Sequence, residues 1–307
     1  MNLFSLVVPL LVALAFEMKM DVLKVSIIGL LSMLGGGQAL FASPGLFLNA
    51  YASDAGIEIQ GWNIAILATI AYTGMFFVSY FVFGWYKEKP IVLENKEKPK
   101  MTKYHVLTLL SFLALVIGTV GFKLDIMVVP TVAGIILMSV GACDPKKVME
   151  RMPYETLLMV AGMTMLTGVV RQLGGTEVLA NSITAISNNF LIKPLLSIVC
   201  SAMSVVASAS SVVQPSVIPM LPLIAKHFPE VSMQGLVAAV GIGSYATAIS
   251  PMSSSGLQVM AAYDAVYRPD EKMRMNLFNR ILMLAVLNAV VQLILSAVGY
   301  YGIQIIR

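Results

Sequence analysis

The stretch SVVASASSVVQPSVIP, residues 204–219, constrains this chain more than any other. It carries five serines, a glutamine and two prolines, and apolar sequence flanks it on both sides. Proline breaks a helix, and serine offers the backbone local hydrogen bonds in place of the helical ladder. The surroundings read as membrane. The chain is 58% hydrophobic and 12% charged, about half the charged share of a soluble domain. Apolar segments run over 3–16, 22–50, 61–86, 104–122, 125–142, 155–170, 190–225, 232–263 and 281–305. Several approach the roughly 20 residues that cross a bilayer. The expected fold is therefore an all-α polytopic membrane protein. Irregular backbone at membrane depth is tolerated only where it is buried in protein or lines a wet cavity.

Several function classes drop out on chemistry. Cys143 and Cys200 are the two cysteines, too few for a disulfide framework or a thiolate metal cluster. His105 and His227 lie far apart, without metal-ligand spacing. Gly35-Gly36-Gly37 has no Lys-Ser/Thr after it and is no phosphate loop. No HExxH is present, and Ser210 as a nucleophile has no base in reach of the sequence argument, so the chain reads as no enzyme. The net charge of +4 follows membrane topology and calls for no nucleic acid.

Charge placement sets that topology. Basic loops stay in the cytoplasm. Three basic stretches stand out: the linker at 87–103, DPKKVMERMPYE at 144–155 and YRPDEKMRMNLFNR at 267–280. If all three are inside, segment 190–225 enters and leaves from outside as a re-entrant hairpin. Most of the Lys and Arg then lie on the cytoplasmic side, and the loop holding Asp54 and Glu58 lies outside. Trp62 and Trp85 mark the two interfaces of the helix between them.

The chain also repeats itself. VVPLLVALA at 7–15 parallels VIPMLPLIA at 217–225, and GGQALFASP at 36–44 parallels GSYATAISP at 243–251. A Gly-Leu follows each Ser-Pro, in GLFLNAY and GLQVMAAY. The topology gives the two copies opposite directions. Inverted repeats with discontinuous helices build midplane sites in many secondary transporters. The division expected is residues 1–86 as the C-terminal part of a first inverted repeat, 87–103 as a cytoplasmic linker, and 104–307 as the second repeat. Backbone N–H groups and hydroxyls at such breaks can hold a carboxylate, and carbonyl ends can hold a hard cation.

At these residues the chain resembles the ion transporter superfamily, closest to the divalent-anion/sodium symporters and the permeases of dicarboxylate carrier type. SASS at 208–211 stands where that family has its hairpin tip. TAISPMSSSG at 247–256 resembles the broken-helix loop, with Ser250-Pro251 in the family's Thr/Ser-Pro place. PYETLLMVAGMTMLTGVVRQLGGTEVLA at 153–180 resembles the helix and interfacial segment before the hairpin. The tip here carries Ser or Ala where the best-known branch has Asn. The first repeat's own tip, by the match of Pro9 to Pro219, falls at or just before Met1, so the resemblance implies an N-terminally incomplete first repeat. It further implies a sodium-coupled secondary transporter of a small dicarboxylate-like anion in the plasma (inner) membrane, with sodium as coupling ion and no other cofactor. The implied substrate residues are Ser208, Ser210, Ser211, Ser250, Pro251, Ser253 and Ser254. The implied sodium residues are Ser208, Ser210, Thr247 and Ser43. Partners are the anion and the bilayer, with either a second copy of the chain in a homodimer or a missing N-terminal segment. Two other readings stand: a sodium/proton antiporter or arsenite-type efflux carrier of the same superfamily, and a non-transporting membrane subunit or fragment. The antiporter reading is disfavoured because all sixteen Asp and Glu fall at segment ends or in loops.

Overall fold

The computed structural model describes residues 3–87, 102–118, 128–150 and 172–305, with isolated positions between 122 and 170. Most of the expected linker at 87–103 and of the helix at 155–170 lies outside the described residues. All regular structure among the described residues is helical. The chain divides into two units, one of residues 90–154 and one of 2–89 with 155–307.

Three helices belong to the smaller unit: α5 (Lys103–Val116), α6 (Val128–Ser139) and α7 (Pro145–Glu150). Helices α5 and α6 pack together. Leu109, Leu110 and Leu113 on α5 and Val132, Ile135 and Ile136 on α6 are exposed, which suits lipid and not water. His105 sits in the first turn of α5, where its ring accepts the Thr102 N–H at 3.2 Å.

The larger unit begins with α1 (Leu3–Glu17), α2 (Val22–Gly37), α3 (Ser43–Asp54) and α4 (Gly61–Val82). It continues with α8 (Gly175–Ala185), α9 (Ile192–Ser204), a returning arm Ala209–His227, α10 (Met233–Ala246), α11 (Ser254–Tyr267) and α12 (Glu271–Ala297). Helices α4 and α12 are long and apolar enough to cross a membrane. The 22 residues of α4 reach about 33 Å at 1.5 Å per residue, enough for the hydrocarbon core. Trp62 opens α4, and Trp85 follows its end in a short 3-10 turn (Trp85–Lys87).

The expected repeat has a structural counterpart in element spacing. Helix α10 begins at Met233 and α11 at Ser254, each the same interval after the starts of α2 at Val22 and α3 at Ser43. Helix α12 begins at Glu271, an interval one residue shorter after Gly61 of α4. Packing is exchanged between the two sets: α1 packs on α11, and the returning arm packs on α3. Both breaks close on a glycine. A Cβ on Gly45 would stand 2.3 Å from the Ala39 carbonyl oxygen, and one on Gly256 would stand 2.1 Å from that of Ser250.

These glycines revise the sequence pairing. The two Ser-Pro dipeptides do not occupy equivalent places. Pro44 lies in the first turn of α3, where a missing N–H costs nothing. Pro251 lies in the loop before α11. In the second break four residues, MSSS at 252–255, separate its Ser-Pro from its Gly-Leu, so with the helix starts equally spaced its Ser-Pro falls four positions earlier in the break.

Helix directions follow from contacts at the two ends of this unit. At one end Gln60, before α4, and Gln234, at the start of α10, exchange two hydrogen bonds of 2.9 and 3.0 Å. Asn63 pairs there with the Ile303 carbonyl and the Ile305 N–H, beyond α12, at 2.9 and 2.7 Å. At the opposite end the Asp21 cap of α2 meets Arg280 of α12, and Phe16 of α1 stacks edge-on to Tyr267 of α11 at 4.9 Å. Helix α2 therefore starts where α12 begins, and α10 starts where α12 finishes.

A candidate site between hairpin and break

Local sequence fixes the hairpin. Helix α9 and the returning arm are bent by 120° at a short break. Asn189, ahead of α9, donates to Glu230, after the returning arm, at 2.6 Å. Both ends of the hairpin thus lie on one side, and its tip is the Val205–Ser208 turn. Ser208 caps the returning arm by accepting the Ser211 N–H at 3.3 Å. The arm opens with a π turn, Ala209–Val213, and contains Pro215, Pro219 and Pro222. Such turns recur at functional sites because their backbone bonds are loosened.

The second break is built with equal local logic. Helix α10 ends at Ala246, and α11 starts at Ser254 with Ser253 as its N-cap. The Ser253 hydroxyl donates to the Ser250 carbonyl at 2.7 Å and also reaches that of Ala248. Ser250 is fully buried, and its Oγ accepts the Met252 N–H at 3.3 Å. Pro251 is buried beside it. Ser254 opens α11, and its side chain lies outside the described residues.

Tip and break meet. Ser204 Oγ, at the end of α9, lies 2.7 Å from Thr247 Oγ1, the first residue past α10. Thr247 also donates to the Ser201 carbonyl. Ser210 of the returning arm lies beside Tyr245, and Gln214 Nε2 donates to Ser244 Oγ at 3.2 Å. Ser208, Ser210 and Ser211 therefore share one turn, Ser250 and Ser253 share another, and the contacts joining the two run through Ser204, Thr247, Ser244, Tyr245 and Gln214. Ser43 belongs elsewhere, exposed at the start of α3, on the other break.

The carbonyl end of α10 is the centre of this arrangement. A helix leaves its last four carbonyls without backbone partners. Ser201 donates to the Gly243 carbonyl at 2.9 Å and Asn288 of α12 to that of Ala246 at 2.6 Å. One turn earlier, Tyr72 of α4 donates to Ile242 at 3.0 Å and Gln38 to Gly241 at 3.5 Å. Asn288 Oδ1 accepts from Gln292 Nε2 at 3.4 Å, and Gln292 Oε1 in turn accepts from the Tyr301 hydroxyl at 2.8 Å. Close approach of α9 is permitted by Gly243, where a Cβ would fall 2.8 Å from Ser197 Cα. Small residues at a helix crossing serve this purpose in membranes.

Sequence reasoning missed Gln38, Ser201, Ser204, Gln214, Ser244, Tyr245 and Asn288. Ser204 and Gln214 lie within the serine-rich stretch itself, and the others are polar residues in apolar surroundings, which was the available signal, since a polar group in a bilayer must find a partner. Among the described residues no group of His, Cys, Asp or Glu could hold a metal ion. The polar chemistry of the site is hydroxyl, amide and backbone.

An all-helical bundle with broken helices, a re-entrant hairpin and membrane-length spans defines a polytopic membrane transporter. The chain belongs to the citrate transporter family, whose model matches residues 3–249. It is a multi-pass secondary transporter of the organic-anion type and not an enzyme. No curated protein matches it.

Proposed function

We propose that this chain carries citrate or a related di- or tricarboxylate across the plasma (inner) membrane, coupled to sodium, through the polar junction between the hairpin tip and the α10–α11 break. The observation that carries this reading is the Ser204–Thr247 contact, which brings two interrupted backbones together inside an apolar bundle. Around it stand the N-terminal ends of the returning arm and of α11, both with partial positive charge, and the hydroxyls of Ser208, Ser210, Ser211, Ser250 and Ser253. N–H groups and hydroxyls suit a carboxylate. The carbonyl end of α10 beside Thr247, with Ser208 and Ser210, suits a hard cation. Ser43 would serve a second, corresponding cation position at the first break.

The element spacing and opposite helix directions support two inverted repeats, with 1–86 in the first, 104–307 in the second and 87–103 as a cytoplasmic linker. Organic-anion chemistry displaces the antiporter and arsenite readings. The described Asp and Glu side chains of the larger unit sit in loops or in first and last helical turns, which favours sodium over proton coupling.

The test is uptake of labelled citrate, malate and succinate into proteoliposomes with and without an inward sodium gradient. Ser210→Ala and Ser250→Ala should each reduce uptake by about fivefold or more, as for the loss of one hydrogen bond of about 1 kcal/mol. Ser296→Ala, in the last turn of α12, should change it little. Equal effects at all three positions would show that the serines serve packing, and sodium-independent uptake would remove the coupling ion.

A further inference from the structure

Asn288 and Gln292 stand one turn apart on α12 and share one face of it. Both are fully buried, as is Tyr301. Asn288 Nδ2 donates to the Ala246 carbonyl at 2.6 Å, Gln292 Nε2 to Asn288 Oδ1 at 3.4 Å, and the Tyr301 hydroxyl to Gln292 Oε1 at 2.8 Å. Gly299, with φ at 84°, lets the chain turn after α12, and the short Tyr300–Gly302 turn folds back on the helix. The far end of this polar row is tied to α4. Tyr300 donates to the Leu67 carbonyl at 2.8 Å, and Asn63 holds the Ile303 carbonyl and the Ile305 N–H.

The row has one direction. A peptide carbonyl accepts only, so Asn288 must turn its nitrogen to Ala246 and its oxygen to Gln292. Gln292 meets that oxygen with its nitrogen, and its own oxygen takes the Tyr301 proton. Every side-chain nitrogen and oxygen of the two amides has a partner, and a fully satisfied buried network is rigid. The row ends on one peptide plane, that between Ala246 and Thr247. Asn288 holds the carbonyl of this plane, and the Tyr245 carbonyl accepts its N–H. A peptide unit is planar, so holding both polar ends fixes the direction in which Thr247 leaves it. Thr247 Oγ1 then lies 2.7 Å from Ser204 Oγ at the end of α9.

Packing alone does not call for this row. Leucine or methionine would fill the same space with no polar group to satisfy. What the row adds is a fixed geometry at the one peptide where α10 ends and the break begins. We propose that Asn288 and Gln292 are positioning residues for the coupling ion: through the Ala246–Thr247 peptide they set the oxygens at the end of α10 that hold sodium beside Thr247. This rests on the reading of that place as the cation position and adds to it the residues that tune its affinity. Neither amide touches the ion. Each acts through the backbone, as groups behind a metal's ligands orient those ligands and change affinity by about tenfold or more when removed.

The experiment measures labelled citrate uptake against sodium concentration in proteoliposomes of the full chain, together with the rise in melting temperature that sodium gives over choline in detergent. In Asn288→Leu the sodium concentration for half-maximal uptake should rise by about tenfold, while the citrate KM at saturating sodium stays within about twofold of wild type. The sodium-specific melting shift should be lost with it. Gln292→Met and Tyr301→Phe leave the Asn288–Ala246 bond in place and should raise the sodium half-saturation by smaller factors. These two variants decide the matter where Asn288→Leu does not fold. A lower melting temperature with unchanged sodium half-saturation would assign the row to folding alone and overturn the proposal, as would equal rises in the sodium and citrate constants. Sodium-independent uptake by the wild type would remove the cation reading and the proposal together. A sodium-dependent wild type with variants of unchanged sodium dependence would sink the proposal alone.

Discussion

Arg280 of α12 clasps Asp21, the N-cap of α2, with two hydrogen bonds of 3.2 and 2.5 Å between residues 259 positions apart. Asp21 does two jobs at once, since its Oδ1 also accepts the Leu23 N–H at 2.9 Å. The pair ties the start of the first broken helix to the last span. Both side chains are partly exposed, at 32% and 27%, so the ion pair itself contributes about 1 kcal/mol or less. Asp21→Ala should cost more than Arg280→Gln, because it also removes a helix cap, itself about 1 kcal/mol. Melting temperatures in detergent check this order, and the Arg280→Gln loss should shrink at high salt.

Thr247→Val should weaken the junction of hairpin and break. The substitution keeps shape and removes the hydroxyl that meets Ser204 and the Ser201 carbonyl. The Ser201 carbonyl keeps the Ser204 hydroxyl at 3.3 Å, so the cost is that of the lost Thr247 bonds, about 1–3 kcal/mol in all. The expected result is a lower melting temperature together with lost uptake. Ser204→Ala should be milder, because Thr247 keeps its bond to Ser201. Equal losses would place the energy in the Ser204 contact alone.

Gly256→Ala and Gly45→Ala should both disrupt folding, because the added methyl meets backbone that cannot turn aside: the Ser250 carbonyl in one case and those of Ala39 and Gln38 in the other. Overpacking of this kind costs about 1–3 kcal/mol or more. Gly74→Ala on α4, with nothing within 4 Å, is the control and should be neutral or slightly stabilising, since alanine is the better helix former. Monodispersity after extraction and the melting temperature report the difference.

Single-cysteine labelling tests the proposed orientation. Cysteines at Lys19 and Lys272 should be labelled from the cytoplasmic side, and cysteines at Glu58 and Glu230 from outside. Labelling of Lys272 and Glu230 from the same side would break the link between helix direction and charge placement.

The sequence by itself determined the solvent and the class. Its apolar runs could only be helices in a bilayer, and its Ser/Pro/Gly clusters could only be breaks buried in protein, because a bilayer leaves no backbone group unpaired. The order arm, broken helix, Gly-Leu, span was also legible, since it recurs along the chain. Tertiary structure alone decided which residues meet. Pro44 and Pro251 look alike in sequence, yet one opens α3 and the other lies in a longer loop, and only the close approach of Gly45 and Gly256 to backbone shows the true register. Sequence picked the serines of the tip and the break, whose pattern is local. It could not pick Gln38, Gln214 or Asn288, because their roles come from carbonyls of α10 that lie far from them along the chain. A hydrogen bond across such distances is fixed by packing of whole helices, and no local pattern encodes it.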